Sequence, residues 1–210
     1  MNEGKITGFH EIILRALKRF ILFISSIFIL NSCDFNNYSK TEENYGAAVD
    51  KYARDFNLKP EYLKALIILE CSGDKPAGQR FEPNVYSKLK EVQNGTRNRF
   101  EDITRRQIRD CSDGALRNLA TSWGPFQIMG YKCIDMGIII NDLRGEECVK
   151  WGVMWINNEY GNLIRNNDFE KGFRVHNTGI ENGTTYDPNY VSNGLEHISY
   201  FQNNTTNTPS

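Results

Sequence analysis

The chain has 210 residues, which is enough for one sizeable domain with appendages but leaves little room for a second domain. Its 25 Lys and Arg residues and 26 Asp and Glu residues give a formal net charge of -1, so bulk charge predicts neither a nucleic-acid partner nor attraction to an acidic surface. Hydrophobic residues at 40% and aromatic residues at 12% predict a packed core and argue against disorder outside the ends.

The N-terminus has the pattern of an export signal. Basic residues precede an uncharged apolar run over residues 20–30, which is too short to cross a hydrocarbon core but suits the hydrophobic region of a secretory signal. The run ends in Leu-Asn-Ser-Cys, which resembles a bacterial lipobox. This resemblance implies that residues 1–33 are a lipoprotein signal peptide and that Cys33 carries the lipid anchor. The alternative is an uncleaved signal anchor with an incidental cysteine.

Export would bring the four remaining cysteines into an oxidising compartment. Two disulfides are then possible, in any of three pairings, and free buried thiols are the alternative. No CxxC spacing and no histidine pair at metal-ligand spacing accompanies them, so we expect neither a structural metal nor a cofactor. These cysteines are Cys71, Cys111, Cys133 and Cys148.

A polar tether and a helix precede the most informative stretch of the chain. The composition of residues 34–44 predicts a tether, and the domain begins near Tyr45. An apolar stripe from Val49 to Phe56 then predicts a helix that ends before Pro60, a residue suited to the first turn of the next helix.

That next helix ends on a single acid placed on an apolar face. Leu63, Leu66 and Ile67 lie at helical spacing from Glu70 and share its face. Desolvation penalises the charged form of a carboxylic acid, which is how a glutamic acid can stay protonated near neutral pH and serve as a general acid. Glu70 is therefore the candidate catalytic residue.

The middle of the chain is mixed. Residues 88–120 contain arginines interspersed with acids, which favours a solvated helical face over a binding patch. Residues 121–131 follow neither a helical nor a strand period, so they predict a structured loop that presents side chains.

Helical patterns return in the last third of the chain. They cover residues 145–165, a shorter segment from Asp168, and a last helix from the pair Asp187-Pro188 to about Phe201. No strand series is evident, so the fold class is mainly α. One domain over residues 45–201 is expected, followed by a polar, disordered tail over residues 202–210.

Segments of this domain, taken in order, resemble motifs of the lysozyme-like superfamily, in particular lytic transglycosylases and related N-acetylmuramidase domains that cleave peptidoglycan. In the transglycosylases a helix ends in a catalytic Glu-Ser, and here it ends in Glu70-Cys71. The family's GLMQIMP segment corresponds to GPFQIMG at residues 124–130, and its Tyr-Asn-x-Gly motif to His-Asn-Thr-Gly at residues 176–179. The preceding Ser122-Trp123, together with Phe81-Glu82-Pro83, is closer to the N-acetylmuramidase type.

The resemblance implies a lysozyme-like helical domain with an active-site cleft. Glu70 would protonate the oxygen that links N-acetylmuramic acid to N-acetylglucosamine and then act as a base. A transglycosylase closes a 1,6-anhydro ring, whereas a hydrolase activates water with the same acid or with a second carboxylate. Glu82 is the first candidate for that second carboxylate, with a capping or salt-bridging acid as its alternative; the other candidates are Asp74, Glu101 and Asp102.

The resemblance also implies which residues contact the glycan and where in the cell the protein acts. His176 stands where the family has a tyrosine, so a core histidine is the alternative there. The expected protein is a monomer, lipid-anchored to a bacterial envelope membrane and exported to reach peptidoglycan. A muramidase that hydrolyses the same bond and a non-catalytic wall-binding module are the alternatives. The predicted substrate-binding residues are Trp123, Gln127, Met129, His176 and Asn177.

Overall fold

The computed structural model describes residues 36–205, without the side chain of the last of these. The signal segment with Cys33 and the end of the tail, residues 206–210, lie outside the described residues. The chain divides after Ser39 into two units, of which residues 36–39 of the first are helical and residues 40–205 of the second carry the fold. None of the helices described is both long and apolar enough to cross a membrane.

The fold is mainly helical, as predicted. In chain order the described α-helices are α1 (Ala47–Phe56), α2 (Pro60–Cys71), α3 (Pro83–Asn94), α4 (Arg105–Ile108), α5 (Asp113–Leu119), α6 (Lys132–Met136), α7 (Ile140–Arg144), α8 (Cys148–Arg165), α9 (Phe169–Thr178) and α10 (Tyr190–Thr205). The described strands are β1 (Arg80–Phe81), β2 (Arg99–Phe100), β3 (Ile103–Thr104), β4 (Thr121–Trp123) and β5 (Ile128–Met129).

The segment predicted to be a tether, residues 34–44, is helical in its described part. It leads into a π-helical turn, Glu42–Gly46, directly before α1. Two contacts explain this difference. The Glu42 carboxylate lies 2.9 Å from the buried ammonium of Lys64, and the Asn44 side chain donates a hydrogen bond to the Gly73 carbonyl at 2.8 Å. Polar residues of this segment therefore form contacts with α2 and with the turn that follows it, which composition alone does not reveal.

Helix α2 is the centre of the larger unit. Leu63, Leu66 and Ile67 are fully buried, as the apolar face predicts, and the helix packs against α10. It ends where the sequence predicts, because Ser72 adopts a left-handed backbone (φ 54°) and its N–H returns to the Ile68 carbonyl. The last turn of α2 therefore points Glu70 to the edge of the core.

Residues 121–131, predicted to be a loop, form a hairpin within a small sheet. Strands β1, β4 and β5 are antiparallel in that order, with Arg80 opposite Ser122 and Ser122 opposite Met129. Strands of two or three residues are too short to show a period of two, so the pattern was invisible in the sequence. The turn needs left-handed residues, Gly124 (φ 74°) and Gln127 (φ 47°).

The C-terminal helix α10 is longer than predicted and continues to Thr205 in place of the expected disorder from residue 202. Phe201 is buried, and the Gln202 side chain donates a hydrogen bond to the Glu61 carboxylate at 3.3 Å. These contacts hold the end of α10 against the start of α2.

The four cysteines of the domain are free thiols. Neither of the two possible disulfides forms, and Cys71 does not fix the end of α2 by a disulfide. Cys133 and Cys148 are buried and pack as small apolar side chains in the core. The alternative of free thiols therefore describes this structure.

Gly152 of α8 provides space for the anchor of the hairpin. A Cβ atom at this position would overlap the ring of Phe126, which is buried at 1% exposure between the hairpin and α8. We expect Gly152→Ala to lower the free energy of unfolding by about 1–3 kcal/mol, because a close-packed core cannot absorb the methyl group without shifting the ring.

Urea denaturation checks this expectation, with Gly114→Ala as the matched control. Gly114 lies in α5 and the nearest atom to its added Cβ would be 3.8 Å away. There the change should stabilise the protein by about 0.5–1 kcal/mol through helix propensity. Equal effects of the two substitutions would contradict the proposed role of Gly152.

Candidate functional site

Glu70 lies in the last turn of α2 with only 16% of its side chain exposed. It lines an open cleft of about 910 Å³. A carboxylate that is largely withdrawn from water needs hydrogen-bond partners from the protein. Two side chains from other helices lie at this position, and both approach the same oxygen, Oε1.

The first partner is Tyr190, at the start of α10. Its hydroxyl donates a hydrogen bond to Glu70 Oε1 at 2.5 Å. Burial, and then the nearby Glu70 carboxylate, raise the pKa of Tyr190 well above its usual range, so the hydroxyl keeps its proton and remains a donor. Tyr190 thereby ties the acid to α10.

The second partner is His176, on α9. Its Nε2 lies 3.7 Å from Glu70 Oε1 and 3.0 Å from the carbonyl oxygen of Phe126, while its Nδ1 lies 2.6 Å from the Tyr160 hydroxyl. A carbonyl oxygen only accepts, so Nε2 carries the hydrogen and Nδ1 accepts from Tyr160. This arrangement is that of a neutral imidazole with its N–H directed at the hairpin and at the acid.

Burial keeps His176 neutral. It lowers the pKa of His176 below the ordinary value of 6.5, although the Glu70 carboxylate and the Phe126 carbonyl act in the opposite direction. The surroundings are aromatic, because Trp155 and Tyr160 contact the imidazole edge-on with ring centroids 5.7 and 6.0 Å away. His176, predicted to bind substrate, lines a cavity of about 330 Å³ next to the Glu70 cleft, and 5% of its side chain is exposed.

A break in α8 brings the Tyr160 hydroxyl to His176. Tyr160 has non-helical dihedral angles (φ -150°, ψ 22°) inside the helix. Its side chain is buried, and burial is the main cause of its strongly raised pKa. The neighbouring Tyr62 hydroxyl is also buried, against Gly172, and makes no hydrogen bond of good geometry. Several phenol groups therefore surround the acid and histidine, all of them protonated at neutral pH.

The cleft brings together several residues that the sequence predicted for one site, which are Glu70, Glu82, Gln127 and Asn177. It also contains residues that the sequence did not predict. Tyr186 lines the cleft with its side chain fully exposed, and Asp187 lies beside it. An exposed aromatic ring next to carboxylate and amide groups offers a ligand an apolar face together with hydrogen-bond partners.

Gln127 supports the cleft wall. Its amide nitrogen donates to the carbonyl oxygens of Gly78 and Gly124 at 2.8 and 3.0 Å, and its amide oxygen accepts from the Ser122 hydroxyl at 2.8 Å. Both amide hydrogens are therefore used within the protein. Gln127 joins the hairpin to the segment at residue 78, and only its oxygen has capacity left for a ligand.

Two of the four candidate second carboxylates, Glu82 and Asp74, line the cleft. Glu82 lines it and forms a salt bridge with Arg80 at 2.6 Å, which is the salt-bridging alternative. Asp74 also lines the cleft and pairs with Lys40 at 2.7 Å. Glu101 lines a different cavity, and Asp102 is exposed outside the described lining of the cleft.

Met129 lines a smaller cavity of about 330 Å³ next to the cleft. Gln127 and Asn177 belong to both spaces, so this cavity continues the cleft along the hairpin. Met129 therefore lies beside the acid's cleft, and Asn177 lines both spaces.

Trp123 lies elsewhere. Its side chain is 6% exposed, its indole N–H donates to the Asn118 carbonyl at 2.9 Å, and it lines a separate cavity of about 650 Å³. The prediction that Trp123 contacts a ligand in the Glu70 cleft is therefore not supported by its position. Alternation along β4 turns Trp123 away from the face that Ser122 presents to Gln127.

Sequence reasoning missed Tyr190, Tyr160 and Tyr186. Tyr190 is 120 residues from Glu70, and no spacing rule links residues so far apart. The one local signal for Tyr190 is its position just after Asp187-Pro188, at the start of the predicted last helix. An aromatic residue with a polar end is suited to a buried position where its hydroxyl has a partner.

No family model, no curated protein and no solved structure matches this chain. Over residues 36–205, no group of three or more His, Cys, Asp or Glu side chains is arranged to hold a metal ion.

The neutral state of His176 predicts a pH dependence of stability. The unfolded chain binds a proton at histidine's ordinary pKa of about 6.5, whereas the folded chain resists protonation. The contribution of His176 to the free energy of unfolding should therefore fall as pH decreases below about 6.5. Urea denaturation at pH 7.5, 6.5 and 5.5 measures it, with His176→Gln as the non-titrating control.

We expect the decline toward acid pH to be shallower in His176→Gln than in the parent. Nitrogen chemical shifts should show a hydrogen on Nε2 and none on Nδ1 at pH 7. A titration of His176 at or above pH 6.5, or identical pH slopes in the two proteins, would refute the assignment.

Proposed function

We propose that this protein cleaves the β-1,4 bond between N-acetylmuramic acid and N-acetylglucosamine in peptidoglycan, as a lytic transglycosylase of the lysozyme-like superfamily with Glu70 as its catalytic acid. The observation that carries the proposal is a single, largely buried glutamate at a helix end, held by Tyr190 on the floor of an open cleft. The motif order Glu70, GPFQIMG and His-Asn-Thr-Gly supports the family assignment.

The geometry suits one-acid chemistry. Tyr190 and His176 both approach Oε1, which leaves Oε2 as the oxygen available to a ligand in the cleft. A protonated Oε2 would give its proton to the glycosidic oxygen, and the resulting carboxylate would be stabilised by the Tyr190 hydroxyl. The same carboxylate would then take the proton of the muramoyl 6-hydroxyl as the 1,6-anhydro ring closes.

The cleft also suits a glycan chain. It is open and elongated into the cavity at Met129, and it offers the exposed ring of Tyr186 for stacking on a sugar. Asn177 lies at the junction of the two spaces, where its amide can hydrogen-bond an N-acetyl or hydroxyl group.

A hydrolytic muramidase is the second candidate, because Glu82 lies in the same cleft as Glu70. Its carboxylate is held by Arg80 and is one-third exposed, so it is accessible to a water molecule that attacks the sugar. In this alternative Glu82 activates water and the product carries a reducing end.

Glu70→Gln should lower peptidoglycan cleavage by at least about 10³-fold, because an amide can accept the Tyr190 hydrogen bond but cannot donate the catalytic proton. Release of soluble muropeptides from purified sacculi, followed by mass spectrometry, measures both rate and product. Glu61→Gln, at the other end of α2, is the matched control and should retain parent activity.

The products and Glu82→Gln decide between the candidates. Anhydro-muropeptides together with an active Glu82→Gln indicate a transglycosylase. Reducing ends together with an inactive Glu82→Gln indicate a hydrolase. If Glu70→Gln clears sacculi at the parent rate, Glu70 is not the acid; if the parent yields no soluble product between about pH 4 and 8, the protein is a wall-binding module.

We also propose that the protein is exported and lipid-anchored through Cys33, which would keep the domain next to the wall. The support is the signal-like N-terminus and the Leu-Asn-Ser-Cys sequence. Cys33→Ser should remove the protein from the membrane fraction and leave its activity on sacculi unchanged, as judged by fractionation and labelling with a palmitate analogue. Unchanged fractionation without label would indicate an uncleaved signal anchor.

A further inference from the structure

The cavity that Trp123 lines is on the other side of the segment 75–79 from Glu70. It has a volume of about 650 Å³, within the range of small-molecule sites, and it does not include Glu70 or Tyr190. The cavity and the Glu70 cleft share only the residues Gly78 and Gln79 among those that line them. The cavity is therefore a separate place to bind a ligand.

The walls of this cavity are aromatic and fixed. Tyr45 and Trp123 are 3% and 6% exposed, so each shows little more than one face or edge to the space. The Tyr45 hydroxyl donates to the Asp74 carbonyl at 2.6 Å, and the Trp123 indole donates to the Asn118 carbonyl at 2.9 Å. Their polar atoms are thus satisfied by the backbone, so the small part of each ring that borders the cavity is apolar.

The backbone around the cavity is also held in place. Gln127 fixes the Gly78 carbonyl at one end of the segment 75–79, and the Asn44 side chain fixes the Gly73 carbonyl before its other end. On the opposite wall Gly124 touches the backbone of Leu143 so closely that a Cβ atom would overlap the carbonyl oxygen. A preformed site loses less entropy when a ligand binds than a site that must first be ordered.

Two cations line the cavity without a carboxylate partner. Lys75 Nζ lies 5.9 Å from the Tyr45 ring centroid, and the Arg144 guanidinium lies 5.4 Å from that of Trp123. Within residues 36–205 neither forms a salt bridge, unlike most lysines that the structure pairs with an acid.

One carboxylate, Glu146, also lines the cavity and has no described salt bridge. Two cations therefore face one acid around an apolar space. Such a balance favours a ligand with a single negative charge over a neutral ligand or a cation.

We propose that this cavity binds a small carboxylic acid with an apolar body, whose body packs between Tyr45 and Trp123 and whose carboxylate is bound by Arg144 and Lys75. Arg144 presents the planar fork that suits a carboxylate, and Lys75 supplies a second donor. The proposal is independent of the proposed function, because the ligand would contact neither Glu70 nor the side chains that hold it.

Titration of the protein with 2-naphthoate and with its uncharged analogue, 2-naphthamide, tests the site. Amide chemical-shift changes report both affinity and position, and they should concentrate at Ala77, Gly124 and Gly145. We expect naphthoate to bind at least about 10-fold more tightly than naphthamide, since only the acid forms charge-assisted hydrogen bonds. Equal affinities, or shifts centred on Glu70, would overturn the proposal.

Variants separate the charge from the cavity. Arg144→Ala should weaken naphthoate about 5- to 10-fold and leave naphthamide nearly unchanged, and Glu146→Gln should tighten naphthoate about 2- to 3-fold by removing the repulsive charge. Arg106→Ala, an exposed arginine outside the cavity lining, is the matched control and should have no effect. Insensitivity of naphthoate binding to both Arg144→Ala and Lys75→Ala would also overturn the proposal.

A second arm identifies the source of the carboxylate. A short acetylated peptide that ends in Phe-Ala with a free carboxylate is compared with its C-terminal amide. Displacement of naphthoate by the acid form only would indicate that peptide termini are the ligands. Naphthoate binding without peptide competition would indicate a free small acid. If neither acid binds, the cavity is not a carboxylate site.

Discussion

The hydrogen bond from the Tyr190 hydroxyl to the Glu70 carboxylate is the contact on which the site depends. A carboxylate with little access to water is costly unless the protein supplies donors, and this donor comes from the first turn of α10. Because α10 packs along α2, the two ends of the domain meet at the acid. The helix that completes the core therefore also completes the site.

The hairpin at residues 121–131 holds the opposite side of the cleft by its backbone and by Gln127. Phe126 is buried under α8, where Gly152 leaves room for its ring, and its carbonyl oxygen receives the His176 N–H. Two side chains that look like ligand contacts in the sequence, Gln127 and His176, therefore also form hydrogen bonds within the protein. The residues that line the cleft beside Glu70 include the exposed Tyr186 ring, Asn177 and Gln127, whose amide oxygen has capacity left for a ligand.

The segment 75–79 separates two spaces of different chemistry. One side faces a cleft with carboxylates and amides, and the other side faces an aromatic cavity with two cations, Lys75 and Arg144, that form no salt bridge within residues 36–205. Gln127 holds the carbonyl of Gly78 between them. A ligand in either space would contact the same short piece of backbone, so the two sites share a wall although they share no charged side chain.

Local pattern is sufficient for the mainly helical class, for the course and end of α2, and for the position of Glu70 at its last turn, because helical periodicity and capping act over a few residues. Local pattern does not predict that Glu70, residues 124–130 and residues 176–179 lie near one another; that expectation came from the resemblance to a known family. Tertiary structure alone decides that Tyr190 reaches Glu70, that His176 is held between Tyr160 and the Phe126 carbonyl, and that Trp123 faces another cavity. These outcomes depend on packing between segments up to 120 residues apart, which no local spacing records.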